Sequence, residues 1–325
     1  MVLGPAPAAV PGGQPAAVLA FDVGGTDIKA GLVDGEGTVL GMRRVPTPLD
    51  PHRPAEVILD RLSGLAAELA SEFPGIPPAA AGIVVPGIVD PVAGIGIYSA
   101  NLRWRDFPFT AEGSRRLGVP VAFDHDVRSA AAVEHRYGAS REFGDVLVMV
   151  VGTGIAAAVF SGDRAVTAGG YAGELGHALV PDPDGPGTVI LESLGSAGGI
   201  AKRFAAATGE PISGARTVLE RARAGDATAA RIWSEAIDAL AFSICQCVSI
   251  IGTEAVVIGG GLAEAGEELL EPLRRRIDAM LDFHRRPVIL RAHLGQDAGL
   301  LGAALNARNL VAGMPSQVEH QSGGS

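Results

Sequence analysis

The sequence predicts an α/β fold built from two related halves, chiefly because a strand–turn–strand pattern occurs twice. Val18–Phe21 is predicted to be a buried strand, followed by a glycine-containing turn and a second strand, Ile28–Val33. The same pattern returns at Val146–Val151 and Ile155–Phe160. Around these hairpins, apolar strands alternate with segments of helical periodicity, which is typical of α/β proteins. We therefore expect a duplicated α/β unit with a cleft between its halves.

Hydrophobic spacing predicts the other elements. Apolar residues recur at helical spacing in Glu56–Phe73, which indicates an amphipathic helix. Further strands are expected at Gly82–Val85, Pro120–Phe123, Ala255–Ile258 and Pro287–Ala292. Further helices are expected at Ala229–Ile251, in a segment ending near Leu281, and at Asp297–Val311. The predicted domains are 17–125 with the helix 297–312, and 126–296, with flexible ends at 1–16 and 313–325.

Composition favours a globular protein that acts on a small molecule. The chain has 325 residues, 47% of them hydrophobic, and a formal net charge of −10. Because a negative protein repels phosphate backbones and anionic lipids, we expect no nucleic-acid or membrane partner. No secretory signal or membrane span is predicted, since glycine, proline or charge interrupts each apolar run before about 18 residues. Cys245 and Cys247 are predicted to be buried thiols, which fits the cytoplasm.

A possible phosphate-binding turn follows the first strand, with the sequence Asp22-Val23-Gly24-Gly25-Thr26. Glycines allow the backbone N–H groups to approach a phosphate closely, and a threonine hydroxyl adds a further donor. A carboxylate at Asp22 would repel phosphate unless a cation lay between them, so its natural role is to organise Mg²⁺ and its waters. An ordinary hairpin turn is an equally good interpretation of this segment alone.

Two further glycine turns give weaker signals. Gly152-Thr153-Gly154 repeats the first turn in kind, although such turns are common in β-hairpins. Gly259-Gly260-Gly261 follows a predicted strand, but Glu264 occupies the position of the third glycine in a dinucleotide-binding fingerprint. The chain also lacks the Gly-x-x-x-x-Gly-Lys-Ser/Thr sequence of a P-loop.

Asp126 follows the strand Pro120–Phe123 and opens a predicted helix. A carboxylate in this position is often only a helix cap. The same position also suits a general base that faces a cleft. The local sequence does not separate the two interpretations.

Taken together, these segments resemble the ROK family (repressors, unannotated frames and kinases) of the actin/hexokinase-like ATPase superfamily. The resemblance runs from Ala17 to about Val311 and depends on the set of motifs in this order. The motifs are Asp22–Thr26, Lys29–Asp34, Val85–Asp90, Ser99–Leu102 with Trp104, Asp126, Gly152–Gly154, Gly173–His177, Leu191-Glu192 and Gly259–Gly261.

The resemblance implies a two-domain actin-like, ribonuclease H-like ATPase fold and a cytoplasmic, homodimeric sugar kinase that uses ATP and Mg²⁺. Asp126 resembles the catalytic base that accepts the proton of a sugar hydroxyl, with the 6-hydroxyl of glucose as the leading acceptor. Asn101, Glu174, His177 and Glu192 resemble the sugar-hydroxyl ligands. The three glycine turns resemble the ATP site, with the last of them near the nucleoside.

Two departures from the family pattern stand out. The family has a zinc site with three cysteines after the Gly-His pair, whereas Pro181–Ile190 contains no cysteine, so no zinc site is predicted. The family also has Asn on both sides of the catalytic Asp, where this chain has His125 and Arg128. These two residues either serve the helix surface and its start, or Arg128 brings a cation near the substrate. Asp27 stands where many relatives have Lys.

Several alternatives stay open at this point. The amino-hexoses N-acetylmannosamine, N-acetylglucosamine and kanosamine are rivals of glucose, and polyphosphate is a possible donor without specific support. A sugar-responsive repressor is not expected, because Asp22 leaves little room for a preceding DNA-binding domain and the net charge is negative. A sugar sensor without catalysis is opposed by the presence of Asp22, Asp126 and both Gly-Thr turns.

Overall fold

The computed structural model describes residues 16–162 and 164–313. The flexible ends predicted at 1–16 and 313–325 lie outside the described residues, apart from Ala16 and Gly313. The chain divides into two compact units. Among the described residues, unit 1 contains 16–137, Thr167–Tyr171 and 296–313, and unit 2 contains 138–162, 164–166 and Ala172–Gly295.

The secondary structure follows the expected alternation. The strands are β1 (Val18–Val23), β2 (Asp27–Val33), β3 (Val39–Pro46), β4 (Ala80–Val85), β5 (Ile88–Asp90), β6 (Ile95–Tyr98), β7 (Arg105–Phe107), β8 (Val121–His125), β9 (Val146–Val151), β10 (Ile155–Ser161), β11 (Arg164–Ala165), β12 (Leu179–Pro181), β13 (Thr188–Ile190), β14 (Ala255–Gly259) and β15 (Val288–Arg291). The α-helices are α1 (Pro54–Glu72), α2 (Phe109–Leu117), α3 (Asp126–Tyr137), α4 (Leu191–Gly195), α5 (Ala197–Thr208), α6 (Ala215–Arg223), α7 (Ala227–Ile251), α8 (Glu267–Met280) and α9 (Ala298–Val311).

Unit 1 is a five-stranded sheet covered on both faces. Its strand order is β3-β2-β1-β4-β8, with β1, β4 and β8 parallel and β2 and β3 antiparallel to their neighbours. Alternate residues such as Phe21 and Ile83 belong to the core with α1 and α2. The opposite face meets α9, and a Cβ at Gly82 would lie 1.8 Å from the carbonyl oxygen of Ala303. Because side chains alternate along a strand, this pattern places helices on both faces of the sheet.

Unit 2 repeats this arrangement. Its sheet has the order β11-β10-β9-β14-β15, again with an antiparallel hairpin beside parallel strands. Helix α7 is the centre of its apolar core. The helix begins at Asp226, whose side chain accepts hydrogen bonds from the N–H groups of Thr228 and Ala229, and ends at Gly252 with a left-handed φ of 75°. The predicted α/β duplication is therefore confirmed.

Helix α7 bears on the prediction that the chain has no membrane span. It is long and apolar enough to cross a membrane by length and composition, with a mean hydropathy of 1.5 over an 18-residue window, half of which is buried. A core helix passes the same test, and Ile232, Ala236 and Leu240 on this helix are buried in unit 2.

The helix also carries the two cysteines, which are free. Burial raises the pKa of both thiols, that of Cys247 to about 11, so they stay protonated near neutral pH.

The structure divides the chain at a different place from the predicted boundary at 125–126. Helix α3, which starts at Asp126, packs against α9 and belongs to unit 1, so the division follows Tyr137. Elements that the sequence did not predict include β3, the small sheet β5-β6-β7, the hairpin β12-β13, and the helices α2, α4, α5 and α6.

Candidate active site

Two acidic side chains lie near one another in unit 1. Asp22 is the last residue but one of β1, close to the turn that follows this strand. Asp126 is the first residue of α3, which follows β8. Burial and the charge of Asp126 raise the pKa of Asp22 to about 6, while Lys29 acts in the opposite direction. The Lys29 ammonium lies 3.7 Å from the carboxylate, and a Cβ at Gly299 would lie 2.5 Å from it. The excess negative charge makes this edge of unit 1 suitable for a cation.

The first glycine turn joins β1 to β2 and is held from outside by one residue. The hydroxyl of Thr47 donates to the carbonyl of Gly24 at 2.7 Å, and its N–H donates to the carbonyl of Thr26 at 2.8 Å. Gly25 and Thr26 are exposed. A Cβ at Gly25 would lie 3.9 Å from the Cβ of Asn101, so this predicted sugar ligand lies beside the turn.

The two glycine turns of unit 2 lie side by side. Gly259 opposite Val150 places the end of β14 beside the end of β9, because the two strands run parallel. Gly260 has a φ of 80°, and a Cβ there would lie 2.5 Å from the carbonyl oxygen of Val151, so only glycine fits without strain. The carbonyl of Gly152 accepts a hydrogen bond of 2.9 Å from the N–H of Ala197, where α5 begins.

The acidic and imidazole side chains predicted to bind sugar in unit 2 adjoin the Gly-Thr-Gly turn. A carboxylate oxygen of Glu192 accepts a hydrogen bond of 2.9 Å from the N–H of Ile155 and would lie 2.5 Å from a Cβ at Gly154. Glu174 and His177 border one turn of 3₁₀ helix, since the N–H of His177 donates to the carbonyl of Glu174 at 3.1 Å. Both side chains are exposed.

The predicted site residues thus form two groups, one in each unit. Unit 1 contains Asp22, Gly24, Gly25, Thr26, Asn101 and Asp126. Unit 2 contains Gly152, Thr153, Gly154, Glu174, His177, Glu192, Gly259, Gly260 and Gly261.

A hairpin, β12-β13, occupies the segment where the resemblance implies a zinc site. It connects His177 to Glu192, and at its base the N–H of Leu191 donates to the carbonyl of Ala178 at 2.8 Å. Within residues 16–162 and 164–313, no group of three or more His, Cys, Asp or Glu side chains is placed to hold a metal ion. The donors that a zinc ion needs are therefore not gathered in this hairpin.

Ion pairs hold the tip of the hairpin to α5 and α7. The guanidinium of Arg203 donates to Asp184 at 2.9 Å and to Glu235 at 2.7 Å. Arg231 pairs with the same two carboxylates, at 3.6 Å from Asp184 and 2.8 Å from Glu235. Arg203 and Glu235 are largely buried, whereas Asp184 is 62% exposed. We refer to these four residues as the hairpin ion cluster.

Sequence reasoning missed Lys29 and Thr47 and left Arg128 open. The β1-β2 register pairs Asp22 with Lys29, so the hairpin pattern itself could have identified this ion pair. Thr47 is distant from the turn in the sequence, and no local motif identifies it as a contact of the turn. Arg128 is 6% exposed and its Nε donates to Asp124 at 2.8 Å, so its charge is engaged inside unit 1 and the structural interpretation is favoured.

Comparison with known proteins agrees with the resemblance found in the motifs. The model of the ROK family matches residues 18–309. The chain is 36% identical over 289 residues to the bifunctional enzyme NanE/NanK of Brucella melitensis, covering 88% of this chain and 53% of that protein. It therefore spans about half the length of that relative.

Other relatives match over nearly their whole length. A glucokinase of Thermotoga maritima is 30% identical, with 91% of this chain and 98% of that protein covered. An N-acetylmannosamine kinase of Shigella flexneri is 33% identical, with 90% and 98% covered.

Solved structures give the same picture. A ROK hexokinase from Thermus thermophilus superposes with a TM-score of 0.78 at 31% identity, covering 91% of this chain and 99% of that chain. A ROK family glucokinase from Streptomyces griseus, solved with glucose and AMPPNP, has a TM-score of 0.75 at 30% identity, covering 90% of this chain and all of that chain. The actin-like ATPase fold predicted for the chain is confirmed.

Proposed function

The chain belongs to the ROK family, and on this basis we propose that it is a sugar kinase that transfers the γ-phosphoryl group of ATP to a hexose or amino-hexose. The observation that carries the proposal is the pair of interacting carboxylates in unit 1, Asp22 and Asp126, of which Asp22 lies just before the turn with the exposed Gly25 and Thr26. The proposed acceptor is the 6-hydroxyl, as the resemblance of the motifs implies. The sugar itself is either glucose or an amino-hexose of the N-acetylmannosamine type.

Asp126 acts as the general base. The sugar hydroxyl oxygen forms a bond to the γ-phosphorus, the bond between that phosphorus and the β,γ-bridging oxygen breaks, and the hydroxyl proton passes to the Asp126 carboxylate. ADP leaves with the electrons of the broken bond. Because the protein chiefly positions reactants in phosphoryl transfer, the orientation of this carboxylate is its main contribution to the step.

Mg²⁺ fits the charge of this edge of unit 1. Burial, and after it the charge of Asp126, raises the pKa of Asp22, and a divalent cation would favour its ionised form. Asp22 would hold Mg²⁺ through its waters, and the bound ion would offset the charge of the ATP phosphates. The backbone N–H groups of the glycine turns would bind phosphate oxygens, with Gly259–Gly261 near the nucleoside.

The side chains that the resemblance implies as sugar ligands suit hydrogen bonding to hydroxyls. Asn101 in unit 1 and Glu174, His177 and Glu192 in unit 2 offer amide, carboxylate and imidazole groups. Sugar hydroxyls both donate and accept hydrogen bonds, so such groups can distinguish their positions. We further propose that the protein is cytoplasmic and homodimeric and binds neither nucleic acid nor membrane, in keeping with its net charge of −10.

An ADP-release assay with Mg-ATP tests the proposal. The panel contains glucose, mannose, glucosamine, kanosamine, N-acetylglucosamine and N-acetylmannosamine, and polyphosphate replaces ATP in a parallel series. Strong turnover with one sugar and ATP is expected and identifies the substrate. Turnover with polyphosphate alone would contradict the donor, and absence of turnover across the panel, with sugar binding retained, would favour a non-catalytic sensor.

The hairpin ion cluster leads to a prediction about sugar binding. Glu235→Gln is expected to raise the KM for the sugar about fivefold with little change in kcat, because Arg203 loses its closest partner and the segment between His177 and Glu192 loosens. The measurement is KM at low and high salt, and high salt should raise the wild-type KM toward that of the variant.

Glu220→Gln is the matched control, since it removes an exposed ion pair with Arg216 on α6. It should leave KM unchanged. Chelation followed by restored Mg²⁺ should also leave the wild-type KM unchanged, and one tightly bound zinc per chain by elemental analysis would contradict the metal-free hairpin.

A further inference from the structure

His125 occupies the N-cap position of the helix that carries the proposed base. Helix α3 starts at Asp126, and the Nδ1 atom of His125 lies 3.2 Å from the backbone N of Val127 and 3.3 Å from that of Arg128. These are the second and third residues of the helix, whose N–H groups have no partner within the helix. The N-cap residue is usually Ser, Thr, Asp or Asn, and its side-chain oxygen accepts from these same two N–H groups.

The geometry sets the protonation pattern of the ring. Both backbone groups are donors, so Nδ1 can bind them only through its lone pair, and the ring hydrogen is then on Nε2. The imidazole ring is 13% exposed, so few waters could replace this acceptor.

Asp126 competes for the same donors. One of its carboxylate oxygens, Oδ1, accepts from the N–H of Val127 at 2.7 Å and lies 3.3 Å from Nδ1 of His125. Two acceptors thus converge on the first turn of α3. A carboxylate that binds both N–H groups is held toward the helix and away from a substrate hydroxyl.

A buried ion pair fixes the backbone of His125 from the other side. The N–H of His125 donates to Asp124 Oδ1 at 2.7 Å, and the same oxygen accepts from Nε of Arg128 at 2.8 Å. Asp124 and Arg128 are 16% and 7% exposed at their side chains. His125 and Arg128 therefore belong to one arrangement around the start of α3.

We propose that His125 is a positioning residue for the phosphoryl transfer: it caps α3 through Nδ1 and so limits how far the Asp126 carboxylate turns toward the backbone. The carboxylate keeps its bond to the N–H of Val127 but leaves that of Arg128 to the imidazole, and it stays oriented for the substrate proton. This rests on the proposed function of Asp126. His125 itself need not touch the sugar. The imidazole accepts from the N–H of Arg128, which the carboxylate would otherwise bind in addition to that of Val127.

Two amide substitutions test the proposal with the full-length chain. In His125→Asn, the amide can place an oxygen near the former Nδ1 position, whereas in His125→Gln the amide lies near the former Nε2 position. His125→Asn is expected to keep kcat within about threefold of wild type. His125→Gln and His125→Ala are expected to lower kcat about 5- to 30-fold with KM for the sugar within about twofold, because the base is misoriented while the sugar ligands are unchanged.

A double-mutant cycle separates positioning from general stability. In an Asp126→Ala background, His125→Gln should cause no further loss of kcat. Equal kcat losses for His125→Asn and His125→Gln, or wild-type kcat for His125→Gln, would overturn the proposal. An unchanged kcat of His125→Gln together with a lowered unfolding midpoint would also overturn the proposal, because the cap would then act on stability alone.

The failure of this inference can be told apart from failure of the proposed function. If no sugar supports turnover, or if Asp126→Ala is fully active, the proposed function fails. The capping of α3 by His125 is then tested by unfolding midpoints alone. The midpoint should be near that of wild type for His125→Asn and lower for His125→Gln.

Discussion

Asp126→Ala is expected to lower kcat by about 10²- to 10⁴-fold, as is typical for loss of a general base. The sugar hydroxyl must lose its proton as its oxygen bonds to the γ-phosphorus, and Asp126 is the group proposed to accept it. The loss should fall on kcat, since the carboxylate acts chiefly at the step of proton transfer. Single-turnover and steady-state measurements of ADP release with the identified sugar check the prediction.

Folding of the variant has to be established independently. The unfolding midpoint should stay close to that of the wild type, because His125 still caps α3 in the variant. Asp60→Ala on α1 is the matched control, since it removes a 51% exposed acid from the same unit and should leave kcat unchanged. Near-wild-type turnover by Asp126→Ala would show that another group is the base.

The sequence was most informative where apolar strands border a turn. Val18–Val23 and Val146–Val151 are almost wholly buried, so their residues are apolar apart from Asp22, and their bounds were predicted to within two residues. The hairpins that follow them occupy corresponding positions in the two sheets. Because both halves of a duplicated fold obey the same physical constraints, recognition of one hairpin supported the prediction of the other.

The sequence was least informative where structure depends on contacts between distant residues. The hairpin β12-β13 has only short strands, and its tip is held by Arg203 and Arg231 from other helices. Helix α5 begins with Ala-Gly-Gly, which has weak helical propensity, and is started by the side chain of Ser196 accepting from Gly199. Neither feature produces a hydrophobic period that can be read locally.

The candidate site shows the same division. Asp126 and the glycine turns were identified from the order of motifs along the chain. The repulsion between Asp22 and Asp126 could not be identified in this way, because it depends on the spatial proximity of residues from β1 and α3. His125 lies two residues after the strand predicted at Pro120–Phe123, and its role as a cap becomes visible only when the direction of the following N–H groups is known.

Asp22→Asn is expected to stabilise the protein at pH 8 while lowering kcat by about 100-fold or more, because a group that organises the metal and phosphates is lost. Burial and Asp126 raise the pKa of Asp22 from 3.8 to about 6. The folded state therefore binds a proton more tightly than the unfolded state, and stability falls as pH rises from about 4 to 6. Above pH 6 the full penalty of ionisation applies, about 1 to 3 kcal/mol from the size of the shift.

Asparagine imitates the protonated carboxyl and removes that penalty. The gain in free energy of unfolding over the wild type should thus be complete at pH 8, shrink below pH 6 and approach zero near pH 4. Denaturant unfolding of both proteins without nucleotide or Mg²⁺ measures this difference. Lys29→Met should act in the opposite direction, because it removes the cation 3.7 Å from Asp22. If Asp22→Asn did not raise the free energy of unfolding at pH 8, the ionised carboxylate would not be destabilising the fold. The argument that a cation offsets its charge would then fail.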